Sequence, residues 1–166
     1  SKVILITTAI LIIAPAVFFF ACDFGNLPAG KRLLASVLQS VTTRTAGFNT
    51  EDLSLMTEAG KAVMILLMLI GGSPSSTAGG MKTTTFAVLI LNALATFRSR
   101  EDAGAFGRRF DGQVIKNAAT IAMLYFMLFF FGGITISVYE GLPVLTCFYE
   151  AASAVGTVGL TLGVTP

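Results

Sequence analysis

V-T-T-R-T-A-G-F-N-T, residues 41–50, has a counterpart near the C-terminus, V-G-T-V-G-L-T-L-G-V, residues 155–164. Each holds, in a row, a Thr, a small or branched residue, a Gly and a hydrophobic residue: Thr45, Ala46, Gly47, Phe48 and Thr157, Val158, Gly159, Leu160. Each follows a half-apolar segment too short to span a bilayer, and each of those follows a long apolar run. This is the order of a re-entrant pore loop, in which backbone carbonyls replace the water shell of a cation. Gly47 and Gly159 allow positive φ, so successive carbonyls can face one ion. No carboxylate lies within 42–50 or 156–165. Carbonyl dipoles without acidic rings suit a weakly hydrated monovalent cation better than Ca²⁺ or Mg²⁺. A plain Gly turn between helices explains one such loop equally well, but explains two matched loops poorly.

The composition agrees. The chain is 54% hydrophobic with a mean hydropathy of +0.82, and 12% of its residues are charged, against about 25% in a soluble domain. The charges lie between long apolar runs, the pattern of an integral membrane protein. The chain has no His, which removes His bases, His metal ligands and Ser-His-Asp triads. Cys22 and Cys147 cannot make a CxxC pair or a four-Cys zinc site and read as small hydrophobes.

Val3 to Cys22 predicts a spanning helix, mildly kinked at Pro15, and its length and lack of a small-residue cleavage site argue against a signal peptide. Residues 23–30 predict a turn-rich loop. Lys31 to Ser40 predicts an amphipathic half-helix of about 15 Å, whose negative dipole end meets the first loop and favours a cation. Glu51 to Gly60 reads as a polar return. The apolar stretch from Lys61 to Phe97 would be about 55 Å long as one helix, too long for one crossing. It is broken by Gly71, Gly72, Ser73, Pro74, Ser75, Ser76, Thr77, Ala78, Gly79 and Gly80, which predicts two half-helices around an intramembrane loop, as in transport paths. The rival reading, a nucleotide P-loop, fails because Met81 rather than Gly precedes Lys82 and no strand leads in.

Arg98, Arg100, Arg108 and Arg109 concentrate in the one long hydrophilic stretch. The positive-inside rule makes 98–112 cytoplasmic and puts both pore loops outside. Val114 to Val138 predicts a second spanning helix, with Gly132 and Gly133 admitting close packing. Leu142 to Ala154 predicts a second pore half-helix. The fold class expected is therefore all-α integral membrane: helix–pore loop–helix repeats with re-entrant half-helices and one broken transmembrane helix. The units are 1–97 (filter loop 42–50, intramembrane loop 71–80), the cytoplasmic loop 98–112, and 113–166, a second unit without its last helix (filter loop 156–163). The recurrence at about 110 residues suggests pseudo-symmetry around a pore. Two units do not close a pore, so a larger chain or an assembly is expected.

Three ionisable residues stand at membrane depth, where charge is costly and usually functional. Lys82 either hydrogen-bonds loop carbonyls and holds the intramembrane loop, or tunes the pore electrostatically. Arg44 either braces the filter from behind or snorkels to the outer interface. Glu150 either pairs with Arg44 or Lys82 of another unit or faces water.

Taken together, T-T-R-T-A-G-F-N-T, G-G-S-P-S-S-T-A-G-G-M-K-T and A-V-G-T-V-G-L-T-L-G-V-T-P resemble the Ktr/Trk/HKT superfamily of potassium transporters, with the membrane subunit of bacterial Ktr systems the nearest likeness. The resemblance covers essentially the whole chain. It implies four helix–pore loop–helix units around one pore, of which this stretch matches the third and most of the fourth. It implies a filter at Thr45–Phe48 and Thr157–Leu160 with K⁺ at their carbonyls, a gate at Gly71–Gly80 with Lys82, and support from Arg44. It also implies potassium uptake through a gated pore in the bacterial plasma membrane, with Na⁺ as a coupling ion in some members. The implied partners are the remaining units, a second copy in a homodimer, a cytosolic nucleotide-binding regulatory ring and the lipid bilayer, with no nucleic acid and no cofactor beyond the ions. Two other classes fit the residues less well. One is a structural subunit whose Gly loops only pack helices. The other is a membrane-embedded enzyme, which lacks a nucleophile–base pair.

Overall fold

The computed structural model describes residues 2–25, 27–48, 53, 56–72, 79–98, 104–105 and 108–164. Within these, six α-helices follow in chain order: α1 (Lys2–Cys22), α2 (Ala29–Thr42), α3 (Glu58–Leu69), α4 (Thr83–Phe97), α5 (Gly112–Glu140) and α6 (Val144–Gly156). The non-helical pairing is small. β1 (Gly104–Ala105) and β2 (Arg108–Arg109) pair antiparallel in the stretch between α4 and α5, so the segment expected as a plain hydrophilic loop holds a short strand pairing.

Helices α1 and α5 are long and apolar enough to cross a membrane, and little of either is buried against the chain. Leu5, Ile10, Ile13 and Val17 of α1 and Met123, Leu124, Phe126 and Phe131 of α5 are exposed, an apolar surface that suits lipid better than water. The other four helices run to about 18–23 Å at 1.5 Å per residue, short of the bilayer core.

Each half-length helix before a Gly loop packs against a long one: α2 on α1, and α6 on α5. Helix α3 packs against α6 and reaches α2 through Met64. Its Met64 is fully buried, and the sulfur accepts from Gln39 Nε2 of α2 at 3.3 Å and from the Tyr149 hydroxyl of α6 at 3.9 Å. The core gathers around Phe19, Met64, Met68 and Tyr149. Leu53 and Met56 join it, so the return segment read as polar also anchors the fold.

The helix ends explain how this frame closes. Arg32 lies 4.4 Å over the Phe20 ring and donates from Nε to the Phe20 carbonyl at 2.7 Å, placing a cation at the negative end of α1. Asp23 Oδ1 accepts from the Thr57 amide at 2.8 Å and the Thr57 hydroxyl at 2.7 Å. Thr57 in turn N-caps α3 through the Gly60 amide at 3.0 Å. A carboxylate at a helix N-terminus is the favoured sign, and it ties the loop after α1 to α3. The Ser40 hydroxyl donates to the Ile12 carbonyl at 2.7 Å, fixing α2 to α1 beside Pro15.

Gly132 and Gly133 sit where α5 meets α6, and they are not equivalent. A Cβ on Gly133 would lie 2.8 Å from the Phe148 ring, whereas one on Gly132 would meet Ala151 Cβ at 3.7 Å, an ordinary contact. Alanine gains about 1 kcal/mol over glycine in a helix, but overpacking costs about 1–3 kcal/mol. Gly132→Ala is expected to raise the thermal unfolding midpoint in detergent and Gly133→Ala to lower it. The reverse order would show that Phe148 does not fill the Gly133 notch.

Candidate functional site: two loops and the neck of a broken helix

The two sequence-matched loops share an unusual backbone. Thr45 has φ +72° and Gly47 φ +73°; Thr157 has φ +53° and Gly159 φ +85°. Positive φ was expected at the two glycines. It was missed at the threonines, because a β-branched residue with positive φ is an outlier. Such conformations cost about 1–3 kcal/mol and persist where surroundings over-determine them, often at functional sites. Here the surroundings are visible. In the first loop, the Ala46 and Gly47 amides donate to the Thr42 carbonyl at 3.1 and 3.2 Å, and the Thr42 hydroxyl donates to the Phe48 carbonyl. In the second, the Thr157 amide donates to the Ala154 carbonyl at 3.1 Å and the Val158 amide to the Ser153 carbonyl at 2.9 Å.

The fold brings the loops into contact. A Cβ on Gly47 would run into the Val158 carbonyl oxygen. The loops are not copies in every respect. Val158 and Leu160 are each 4% exposed, whereas Phe48 is 73% exposed. The second loop pins its apolar side chains in the core and leaves Gly159 facing open space, with nothing among the described residues within 4 Å of where its Cβ would stand.

Between α3 and α4 the chain closes on itself. Ile70 and Met81 form an isolated parallel bridge, with the Gly71 amide donating to the Met81 carbonyl at 2.8 Å and the Met81 amide to the Leu69 carbonyl at 2.9 Å. The break in the apolar stretch is therefore a pinched neck. Glycine is required there: a Cβ on Gly71 would strike the Gly79 carbonyl, and Gly80 has φ +72°. Gly71, Gly72, Gly79 and Gly80 are described; Ser73, Pro74, Ser75, Ser76, Thr77 and Ala78 lie outside the described residues.

The neck is tied to both loops. From the first, Arg44 Nη2 donates to the Gly71 carbonyl at 3.4 Å and to Thr83 Oγ1 at 3.2 Å. From the second, Thr157 Oγ1 accepts from the Gly79 amide at 2.8 Å. Arg44 thus reaches across from the first loop to the broken helix. Its Nε is buried without a hydrogen-bond partner among the described residues. Thr83, fully buried, donates from Oγ1 to the Gly72 carbonyl at 3.0 Å. Lys82 is half-buried at the N-cap position of α4, where its charge opposes the helix dipole.

Glu150 lies in the middle of α6. Its Oε1 accepts from the Thr161 hydroxyl at 2.6 Å and from the Leu162 amide at 2.8 Å, within its own half of the chain. Sequence spacing could not point to it, because a carboxylate in an apolar helix reads as a charge seeking a cation. Thr83 was missed for a similar reason: it is one of three threonines in a row and nothing local singles it out.

Two long helices with exposed apolar faces, and strained glycine-bearing backbone after two shorter ones, agree with a helical membrane protein. The chain belongs to the TrkH family of cation transport proteins, which it matches over residues 1–166. It is 38% identical over 142 residues to Ktr system potassium uptake protein B of Bacillus subtilis, covering 86% of this chain and 32% of that protein. It is 37% identical over 175 residues to the potassium/sodium uptake protein NtpJ of Enterococcus hirae, covering 100% of this chain and 39% of the relative. It is 32% identical over 171 residues to Ktr system potassium uptake protein B of Vibrio alginolyticus, covering 99% of this chain and 38% of the relative. The chain thus spans between about a third and two fifths of the length of these relatives. Members of the family are transporters, not enzymes.

Proposed function

We propose that this chain forms part of the ion path of a potassium-uptake subunit, matching the third and most of the fourth of four helix–pore loop–helix units. The observation that carries the reading is the shared conformation of Thr45–Phe48 and Thr157–Leu160: a left-handed threonine and, two residues on, a left-handed glycine, each at the C-terminal end of a half-length helix. Such alternation can turn successive carbonyls to one side. The negative ends of α2 and α6 add to the attraction for a cation. In this reading the carbonyls of residues 45–48 and 157–160 bind K⁺, Gly71–Gly80 with Lys82 forms an intramembrane gate below them, and Arg44 holds filter and gate in register. The names of the relatives support potassium as the ion, and one of them names sodium as well, which supports Na⁺ as a coupling or competing ion.

The orientation below follows from the arginines of 98–112, and the partners from the family resemblance. The segment 98–112 faces the cytoplasm and both pore loops face outside, in a bacterial plasma membrane. The remaining units, a second copy of the subunit and a cytosolic nucleotide-binding ring complete the assembly. The test is uptake of radioactive rubidium, and of sodium in competition, by the full chain in sealed vesicles with an inside-negative potential. The expected result is saturable rubidium uptake that potassium suppresses more effectively than sodium. Vesicles with inserted protein and no uptake above the protein-free background would leave the loops as packing elements only.

A further inference from the structure

The second loop is anchored at both ends, and the downstream anchor is a buried carboxylate. Upstream, the amides of Thr157 and Val158 are tied to the last turn of α6, and the Val158 and Leu160 side chains are buried. Downstream, Thr161 and Leu162 are gripped by one oxygen of Glu150, a residue 7% exposed in the middle of α6. Between the anchors stands Gly159, at φ +85° and with no atom of the described residues within 4 Å on its side-chain side. A cavity of about 520 Å³ borders Glu150, Thr157, Gly159 and Thr161. The backbone at Gly159 therefore has both the freedom and the room to rotate, and its orientation depends on the anchors.

The first loop solves the same problem with a neutral group. There the Thr42 hydroxyl, from the last residue of α2, donates to the Phe48 carbonyl. The polar residue deeper in that helix, Gln39, is turned instead to Met64. The second loop instead uses one carboxyl oxygen that takes two bonds at once, from the Thr161 hydroxyl and the Leu162 amide.

We propose that Glu150 is a selectivity-determining positioning residue: by holding Thr161 and Leu162 it fixes the aim of the Gly159 and Leu160 carbonyls. The proposal deepens the reading of 157–160 as part of a cation filter and rests on it. Glu150 acts through the backbone and does not touch the ion.

The convergence of both bonds on one oxygen makes the proposal testable. The amide oxygen of Glu150→Gln can accept both bonds without the charge; Glu150→Ala accepts neither; Thr161→Val loses one. The full chain and these variants are reconstituted in vesicles, and rubidium and sodium uptake are measured together. Glu150→Gln is expected to keep the rubidium-over-sodium ratio within about twofold of the parent, Thr161→Val to lower it about threefold, and Glu150→Ala about tenfold or more. A purely structural role would lower protein yield and the uptake of both ions together and leave the ratio unmoved. A selective parent with equally selective Glu150→Ala and Thr161→Val variants overturns the proposal alone. So does a Glu150→Gln variant as unselective as Glu150→Ala, which would assign the effect to charge. A parent without any preference overturns the filter reading and the proposal with it. Where Glu150→Ala fails to insert, Thr161→Val decides: the parent's ratio overturns the proposal, and a lowered ratio supports it.

Discussion

Gly47→Ser is expected to abolish rubidium uptake, while Gly159→Ser is expected to leave uptake standing and relax the preference for potassium over sodium. The two glycines occupy the same place in the two sequence motifs and have similar φ, +73° and +85°, so backbone strain alone predicts equal effects, about 1–2 kcal/mol for a left-handed non-glycine residue. Their surroundings differ. A Cβ at 47 would overlap the Val158 carbonyl oxygen and lie 3.5 Å from its carbon. That carbonyl cannot retreat cheaply, because the Val158 amide is bonded to Ser153 and its side chain is in the core. The loops would have to part. At 159 a Cβ meets no atom among the described residues within 4 Å, so the serine fits and the cost is the strain alone. Vesicle uptake of rubidium and sodium, measured on both variants at matched protein, checks the pair. Parental uptake by Gly47→Ser would mean that the loops are not in contact in the working protein. An unchanged ion ratio in Gly159→Ser would remove Gly159 from the filter.

The contrast between these glycines also marks what a linear reading can reach. The apolar runs, the half-length helices and the break near Gly71 are properties of composition and spacing, and they lie close to where they were expected. Helix ends shifted by a few residues, as in α2, which spans Ala29–Thr42 against an expected 31–40. The cause is local: Pro28 starts the helix one residue ahead of Ala29, and the chain stays helical until Thr43. The left-handed threonines could not be anticipated, because the conformation is held by hydrogen bonds to the last turns of α2 and α6 and, at Thr157, by the Gly79 amide, none of which a propensity encodes. Met56 and Leu53 were hidden among polar neighbours, and their burial depends on tertiary packing beside the Asp23–Thr57 tie, which local composition does not encode. Glu150 and Arg44 invited a pairing by charge. Among the described residues Arg44 Nη2 donates to the Gly71 carbonyl and the Thr83 hydroxyl, and Glu150 Oε1 accepts from the Thr161 hydroxyl and the Leu162 amide, contacts that charge alone does not point to.

Arg44→Ala and Thr83→Val are expected to lower uptake each on its own, and the double variant to be no worse than Arg44→Ala. Arg44 Nη2 bonds the Gly71 carbonyl and Thr83 Oγ1, and the same hydroxyl donates to the Gly72 carbonyl. The three groups form one knot between the first loop and the neck of the broken helix. A hydrogen bond involving a charged group contributes about 1.5–3 kcal/mol, so losing the arginine should cost about tenfold or more in uptake. Thr83→Val removes the shared hydroxyl but leaves the arginine–carbonyl contact and the Thr83 backbone bond to Gly72, at 3.2 Å, so its effect should be smaller, about threefold. Residues in one network are not additive: once the arginine is gone, the hydroxyl no longer links the loop to the neck. Arg44→Lys should recover part of the loss: both bonds come from the single Nη2 nitrogen, and an ammonium can also donate to two acceptors, but from a more strongly hydrated head. Strictly multiplicative losses in the double variant would show that Arg44 and Thr83 act separately, and the knot would then be two unrelated contacts with no transmission between loop and neck.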